Sequence, residues 1–434
     1  MAMWEEKQET MSADEMQAFQ LAKLQETVAW VYERVPFYKK KLDETGLKPG
    51  DVKALEDLGK LPFTVKTDLR DTYPFGLCAV PMSEVVRVHA SSGTTGKPIT
   101  GPYTAEDRDA WASCMVRNLT AAGITKNDIF QNAYGMGLFT GGLGMHGAAE
   151  KIGCTVIPAS SGMTERQITL MRDFGVTAMG STPSYALTIA EKARDLGVDL
   201  RELPIRVGIF GAEPWTIEMR KEIEERIGIT AREAYGLTEM MGPGVAFDCD
   251  AQDGWLHVNE DHILPEIIDP VTEEVLPLGE KGELVFTAIQ RRAMPLLRYR
   301  TRDITQLKRE KCACGRTLIK MKKVYGRSDD MLIISGVNVF PSQIESLLLD
   351  MPEVEPQYVL IIRKKGYLDA LSVDVEAKPE VYDQGEEKLR EVEGKIEGRI
   401  RGIIGIGVKV RCVPPKSIER SEGKAKRVFD ARKL

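Results

Sequence analysis

The sequence predicts an α/β protein in two parts. A large N-terminal α/β domain with a β-rich subdomain spans residues 1–327, and a small α+β domain spans residues 328–434. Three observations carry this. Strand and helix signals alternate between Ile129 and Phe210, the signature of parallel βαβ units. From about Asp248 the pattern changes to short strands separated by turns. Near Gly326-Arg327-Ser328-Asp329-Asp330 it breaks again, and a compact set of strands and helices follows.

The elements follow in order. Met16, Leu21, Leu24, Val28 and Val31 recur with a helical period over residues 13–35, ending before Pro36. Arg34-Val35-Pro36-Phe37-Tyr38 is expected to begin an extended connection. Residues 84–88 read as a strand, residues 99–103 as a second strand or hairpin arm, and residues 107–122 as a helix closed by Gly123. A buried strand over 129–133 leads into a glycine-rich loop, 134–144, after which His146 is expected to open a helix. Strands at 154–158, 178–180 and 206–210 then alternate with helices starting at Thr164 and Ser184. Residues 263–268 and 282–287 flank the turn 269–274 as an antiparallel hairpin. In the last part, a helix over 341–349 precedes strands at 358–362 and 371–375. A helix with Leu389, Val392, Ile396 and Ile400 on one face and a strand at 408–413 complete it.

The totals exclude several function classes. A net charge of −6, without a basic patch, argues against nucleic-acid and membrane-surface partners. No apolar run approaches the ~18 residues of a membrane span. The start of the chain lacks a signal-peptide pattern, so a cytoplasmic protein with reduced cysteines is expected.

The chain is organised around the loop His89-Ala90-Ser91-Ser92-Gly93-Thr94-Thr95-Gly96-Lys97-Pro98. Gly93 and Gly96 let backbone N–H groups turn toward one anion, while Ser91, Ser92, Thr94, Thr95 and Lys97 add donors. That inventory suits a polyphosphate. It is not a Walker loop, because Ser91 stands five before Gly96 and Pro98 follows the lysine. Downstream, Gly211-Ala212-Glu213-Pro214 ends an apolar strand, where open α/β sheets bind ligands. Tyr235-Gly236-Leu237-Thr238-Glu239 offers a ring for adenine, a hydroxyl for the α-phosphate and a carboxylate for Mg²⁺. Asp303 offers two acceptor oxygens to ribose hydroxyls.

The order and spacing of these strings, with Gly-Arg-x-Asp-Asp at 326–330 and Gly423-Lys424, resemble the adenylate-forming superfamily of acyl-CoA synthetases, adenylation domains and firefly luciferase. The resemblance runs from about Arg34 to Lys426. More narrowly, Tyr-Gly-x-Gly-Leu-Phe-Thr-Gly-Gly-Leu-Gly-x-His at 134–146, Arg-Tyr-Arg-Thr-Arg-Asp at 298–303 and Cys-x-Cys-Gly-Arg-Thr at 312–317 resemble the phenylacetate-CoA ligase branch. One departure from many members is Thr301-Arg302-Asp303 in place of Thr-Gly-Asp, which matches the aryl branch.

The resemblance implies an adenylate-forming fold and an aryl acid joined to coenzyme A at the expense of ATP, with Mg²⁺. Lys424 would bridge the carboxylate and the α-phosphate, with Thr238 and Glu239 in the catalytic set and Arg327 among the ATP ligands. Asp329 matches the family's hinge, and Gly336 the loop beside the thiol tunnel. Tyr134, Phe139, Ala212 and Pro243 match aryl-pocket positions, and a homodimer is expected. Two alternatives stand beside this one: a ligase loading a carrier protein, and a non-catalytic nucleotide or acyl-CoA sensor. Cys249, His257, Cys312 and Cys314 form a Cys₃His set suited to structural zinc. Cys78, Cys114, Cys154 and Cys412 read as buried small hydrophobes.

Overall fold

The computed structural model describes residues 2–91, 98–328, 332–334, 337–365 and 368–433. The chain forms two compact units, one of residues 1–181, 203–212 and 230–324, the other of residues 182–202, 213–229 and 325–434. No helix among the described residues is long and apolar enough to cross a membrane.

In the first unit the helix Ala13–Arg34 opens with a Ser12/Glu15 capping box and buries Leu24, Val28 and Val31. The expected extended connection after it is a second helix, Pro36–Thr45, closed by Gly46 at φ +74°. Proline ends one helix and starts the next, because at the first helical position its missing N–H is no loss. The hairpin of β1 (Arg87–Ala90) and β2 (Thr100–Tyr103) is antiparallel, pairing Ala90 with Thr100. The strand expected at 84–88 therefore starts later: Met82–Glu84 forms a 3₁₀ turn after Pro81, and pairing begins where Arg87 meets Tyr103. The helix Ala105–Ala121 is capped by Thr104 and Asp107.

The main sheet holds β3 (Ile129–Asn132), β4 (Thr155–Ile157), β5 (Ala178–Ser181), β6 (Val207–Gly211) and β7 (Thr230–Leu237) as parallel strands in the order 4-3-5-6-7. The alternation of signals in the sequence is this parallel half. Antiparallel strands β8 (Gly242–Phe247), β9 (Trp255–Val258), β10 (Ile263–Ile268), β11 (Lys281–Ala288), β12 (Tyr299–Lys308) and β13 (Lys320–Lys322) continue it in the order 8-9-13-12-11-10. The predicted hairpin is β10–β11, in register from Ile263↔Ala288 to Ile268↔Glu283. Buried ion pairs fix the strand that carries Asp303. Arg298 pairs with Glu266 at 3.1 Å, Arg300 with Glu283 at 2.8 Å, and Arg302 reaches Glu283 at 3.3 Å.

Two expectations are corrected here. His146 lies in the middle of the helix Thr140–Ile152, ion-pairing distance from Glu150, because the helix begins as soon as Phe139 caps it. Cys114 and Cys412 are buried as expected, but Cys78 and Cys154 are only half-buried, each with its thiol donating to a backbone carbonyl.

In the second unit, a sheet of Lys409–Val413, Leu368–Ala377, Val354–Lys365 and Val428–Asp430, in that order, packs with the helices Pro341–Leu349 and Glu386–Ile404. The helix Glu386–Ile404 buries Val392, Ile396 and Ile400 of the face read from the sequence and Ile404 besides, while Leu389 is half-buried against the same core. The helix Pro183–Asp195, capped by Thr182, and the helix Ile217–Ile227 belong to the same unit, and Arg226 reaches Glu355 at 2.8 Å.

Candidate active site

Parallel strands place their following loops along one sheet edge. At that edge β3 leads into Tyr134, β6 into Gly211-Ala212 and β7 into Tyr235-Gly236, with Gly211 opposite Ala234. Gly211 is obligatory, since a Cβ there would lie 2.1 Å from the Ala234 carbonyl oxygen, and Gly236 likewise faces the Gly242 carbonyl at 1.8 Å. Ala212 takes φ +72°, in the left-handed region. Tyr235 donates its hydroxyl to Asp303, so one carboxylate oxygen of Asp303 already has a protein partner. The Asp303 amide is in turn held by Thr301 Oγ1 at 3.0 Å.

Ser92, Gly93, Thr94, Thr95, Gly96 and Lys97 lie outside the described residues. The base of their loop is described. Ser91 donates its amide to the Ile99 carbonyl at 2.8 Å and accepts the Ile99 amide on its hydroxyl at 2.9 Å. Ser91 therefore closes the loop's neck. One residue earlier, the Ala90 amide donates to the Leu138 carbonyl at 2.9 Å, and His89 Nδ1 lies 3.1 Å from the same oxygen. Burial holds the His89 imidazole below its ordinary pKa, so it sits there neutral.

Sequence reasoning missed Arg291. Its guanidinium is buried, donates to the carbonyls of Glu239 (2.7 Å), Met240 and Pro102 (3.3 Å), and lies 4.7 Å over the Tyr103 ring. Asp107 fixes the neighbouring backbone by accepting the amides of Arg292 and Ala293. One side chain thus ties the arm of the phosphate hairpin to the segment bearing Thr238 and Glu239. The visible signal was a basic pair, Arg291-Arg292, that no charge-run argument singles out. The Glu239 side chain is buried and makes no hydrogen bond or ion pair among the described residues. A buried carboxylate with no cationic partner among the described residues fits magnesium, which takes few carboxylates plus phosphate oxygens.

The pocket residues divide by burial. Tyr134 is 5% exposed, with its hydroxyl 3.4 Å from the Ile209 carbonyl, and its ring lies 3.3 Å from where a Cβ on Gly141 would be. Phe139 is 52% exposed at the head of the helix Thr140–Ile152. Pro243 stands opposite Gly236, and its carbonyl accepts Trp111 Nε1 at 2.6 Å. The loop itself is held by Asn132, which donates to the Gly142 carbonyl at 2.7 Å.

In the second unit Lys424 is exposed on a loop whose backbone is anchored on both sides. The Gly423 carbonyl accepts Thr182 Oγ1 at 3.0 Å, and the Ala425 amide donates to Glu213 at 3.0 Å. Glu213 also accepts the Ser184 amide at 2.7 Å. Burial pushes the Glu213 carboxyl up, and these two amides oppose the shift. Glu213 is therefore tied by one hydrogen bond to Ala425, the residue after Lys424, though the two lie far apart in the sequence. Arg327 is half-buried in this unit; Asp329 and Gly336 lie outside the described residues.

Cys249, His257, Cys312 and Cys314 converge, their ligand atoms all within 4.8 Å of one another and all four residues buried. Cys249 follows β8, His257 lies on β9 paired with Phe247, and the two cysteines form a knuckle turned by Gly315 at φ +93°. Cys249 Sγ to Cys312 Sγ is 3.7 Å, and Cys314 Sγ to His257 Nε2 is 3.4 Å. A tetrahedron with Zn–S bonds of about 2.3 Å has S···S edges of about 3.8 Å, whereas a disulfide needs about 2.05 Å. The set fits zinc and excludes a Cys249–Cys312 disulfide. Arg316, fully buried, donates to Cys314 Sγ at 3.6 Å and to Glu9, which places a cation beside the cluster.

These motifs and this sheet define an ATP-using, adenylate-forming enzyme. A family model described as "AMP-binding enzyme" matches residues 12–290, and one described as "AMP-binding enzyme C-terminal domain" matches residues 336–432. A phenylacetate-coenzyme A ligase of Thermus thermophilus is 48% identical, covering 99% of this chain and all of its own length. One of Escherichia coli is 50% identical over 98% of this chain and 97% of its own. A solved 2-hydroxyisobutyryl-CoA ligase, in the postadenylation state with an acyl-AMP, superposes with a TM-score of 0.93 at 29% identity, over 98% of this chain and 92% of that one. The chain belongs to the AMP-binding enzymes, in the phenylacetate-CoA ligase family.

Proposed function

We propose that this chain joins phenylacetate to coenzyme A through phenylacetyl-AMP, releasing pyrophosphate and then AMP. The observation that carries it is the Glu213–Ala425 hydrogen bond, which sets the Lys424 loop against the end of the Gly-Ala-Glu-Pro turn. A carboxylate has no leaving group and repels thiolate attack. In the first step its oxygen attacks the α-phosphorus of ATP and the pyrophosphate bond breaks. In the second, the thiol sulfur attacks the acyl carbon and AMP departs. The first step brings two anions together, so fixed positive charge must precede it. Lys424 supplies that charge, Thr238 a hydroxyl to the α-phosphate, and Asp303 and Tyr235 hold the nucleoside.

Glu239 is the residue that would hold Mg²⁺, which when bound neutralises phosphate charge. Cys249, His257, Cys312 and Cys314 would hold a structural zinc remote from the reacting atoms. Residues 1–327 carry the ATP and acid sites in this scheme, and residues 328–434 reorient between half-reactions about Asp329. The enzyme works as a cytoplasmic homodimer.

Phenylacetate is favoured over charged or hydroxylated rings because Tyr134, Phe139, Ala212 and Pro243 bring no charge to the acid. A methylene in an apolar pocket is worth about 1–3 kcal/mol, so benzoate should be a poor but real substrate. A thioester assay over phenylacetate, benzoate, hydroxyphenylacetates, indoleacetate and medium-chain fatty acids tests this. Highest kcat/KM for phenylacetate supports the reading, and highest kcat/KM for a fatty acid contradicts it.

A further inference from the structure

The segment 416–425 does not hang on Glu213 alone. It lies antiparallel along one face of the helix Pro183–Asp195. Three positions at helical spacing, Thr188, Glu191 and Asp195, meet it in turn, and Ser184 joins it through Glu213. The Ser184 amide and the Ala425 amide share the Glu213 carboxylate. Thr188 Oγ1 donates to the Ser421 carbonyl at 3.4 Å, and Lys416 pairs with Asp195 at 2.5 Å.

Between them, Arg420 is clamped by two carboxylates. It donates to both oxygens of Glu191 at 2.6 Å and to both oxygens of Glu376 at 2.6 and 2.8 Å. Glu376 is fully buried and also accepts the amides of Lys416 and Ile418, so it fixes the 416–420 turn to its own sheet. Glu191, 8% exposed, is the other jaw and belongs to the helix. A bidentate guanidinium–carboxylate pair specifies geometry as well as attraction. Neither carboxylate touches the atoms that would react.

We infer that Glu191 is a positioning residue for adenylation: through Arg420 it fixes the register of the 416–425 segment on the helix, and with it the place of Lys424. A slip along the helix face would move the ammonium by an ångström or more while leaving Lys424 intact. A displacement of that size costs about 10²-fold in rate. Arg420 keeps Glu376 when Glu191 is replaced, so the sheet-side turn survives and the one bidentate contact to the helix is lost.

This inference rests on the reading of Lys424 as the adenylation lysine. The test uses the full chain and its Glu191→Ala, Glu191→Gln and Lys424→Ala variants. Two half-reactions are read: phenylacetate-dependent exchange of labelled pyrophosphate into ATP, and thioester formation from supplied phenylacetyl-AMP and CoA. The expected result is a fall of about 10²-fold in the exchange kcat of Glu191→Ala. Its KM for ATP and phenylacetate stays within about twofold, thioester formation is not slowed, and Glu191→Gln, which keeps the shape and one acceptor, lies in between. Unchanged exchange, or equal loss in both halves, overturns the inference while a dead Lys424→Ala leaves the lysine reading standing. Full exchange by Lys424→Ala overturns both.

Discussion

The carboxylate of Glu213 accepts the backbone amide of Ala425 at 3.0 Å, across 212 positions of sequence. That bond joins Glu213 to the loop of the proposed catalytic lysine, with a carboxyl that burial has already pushed up. Glu213→Ala should therefore lower adenylation about 10²-fold through misplacement of Lys424. The thioester step from supplied adenylate should be little changed. Equal rates of adenylation in variant and parent would show that the bond is incidental.

Arg291 makes a separate prediction. A methionine there fills the space but leaves the carbonyls of Glu239, Met240 and Pro102 without their donor. A lysine cannot reach three carbonyls in the plane of a guanidinium. Arg291→Met and Arg291→Lys should both raise the Mg²⁺ concentration needed for half-maximal adenylation and lower its kcat by about 10-fold or more. If only thermal stability falls and the Mg²⁺ dependence is unchanged, Arg291 supports the fold and not the site.

The Cys₃His cluster predicts about one zinc per chain by elemental analysis. Cys312→Ser should lower the melting temperature while adenylation, at a temperature where the variant is folded, stays within about threefold of the parent. Metal-free protein of unchanged stability would remove the zinc.

Acid should unfold the first unit through Asp261. Burial pushes this carboxyl up, but His262 and Arg117, the latter donating two bonds at 2.8 Å, overcome it and hold it at about 2. An unfolded aspartate titrates near about 3.9. The folded pKa is the lower one, so the stabilisation is fully present above about pH 4 and is lost as pH falls toward 2, amounting to about 2–3 kcal/mol. Asp261→Asn should destabilise the protein at neutral pH by about 1–3 kcal/mol, because the buried Arg117 loses its bidentate carboxylate and keeps only Glu5 and Asn259 as partners. It should also flatten this acid limb of the stability curve, as followed by denaturant melts. An unaltered acid limb would contradict the assignment.

The parallel half of the sheet was legible because β3, β5 and β6 are short apolar runs punctuated by helices of clear period. Even the helix Pro341–Leu349 falls where the sequence put it. Pro36 misled because a proline reads as a stop, and nothing local says that the proline itself starts another helix. The ligands Cys249 and His257 were legible through residue type alone. The Glu9–Arg316 pair behind that cluster was not, since a carboxylate near the start of the chain carries no mark of its distant partner. The same holds for Glu191 and Arg420. Each reads as a solvated helix or tail charge, and only the fold shows that both are spent on one another.

The central claim is that this chain activates phenylacetate as an adenylate with Lys424 supplying the charge. The most direct test is phenylacetate-dependent exchange of labelled pyrophosphate into ATP, without CoA, by the parent and by Lys424→Ala. The account predicts robust exchange by the parent and a loss of at least about 10²-fold in the variant, which should still convert supplied phenylacetyl-AMP and CoA to the thioester. No exchange by the parent, or full exchange by the variant, would contradict it.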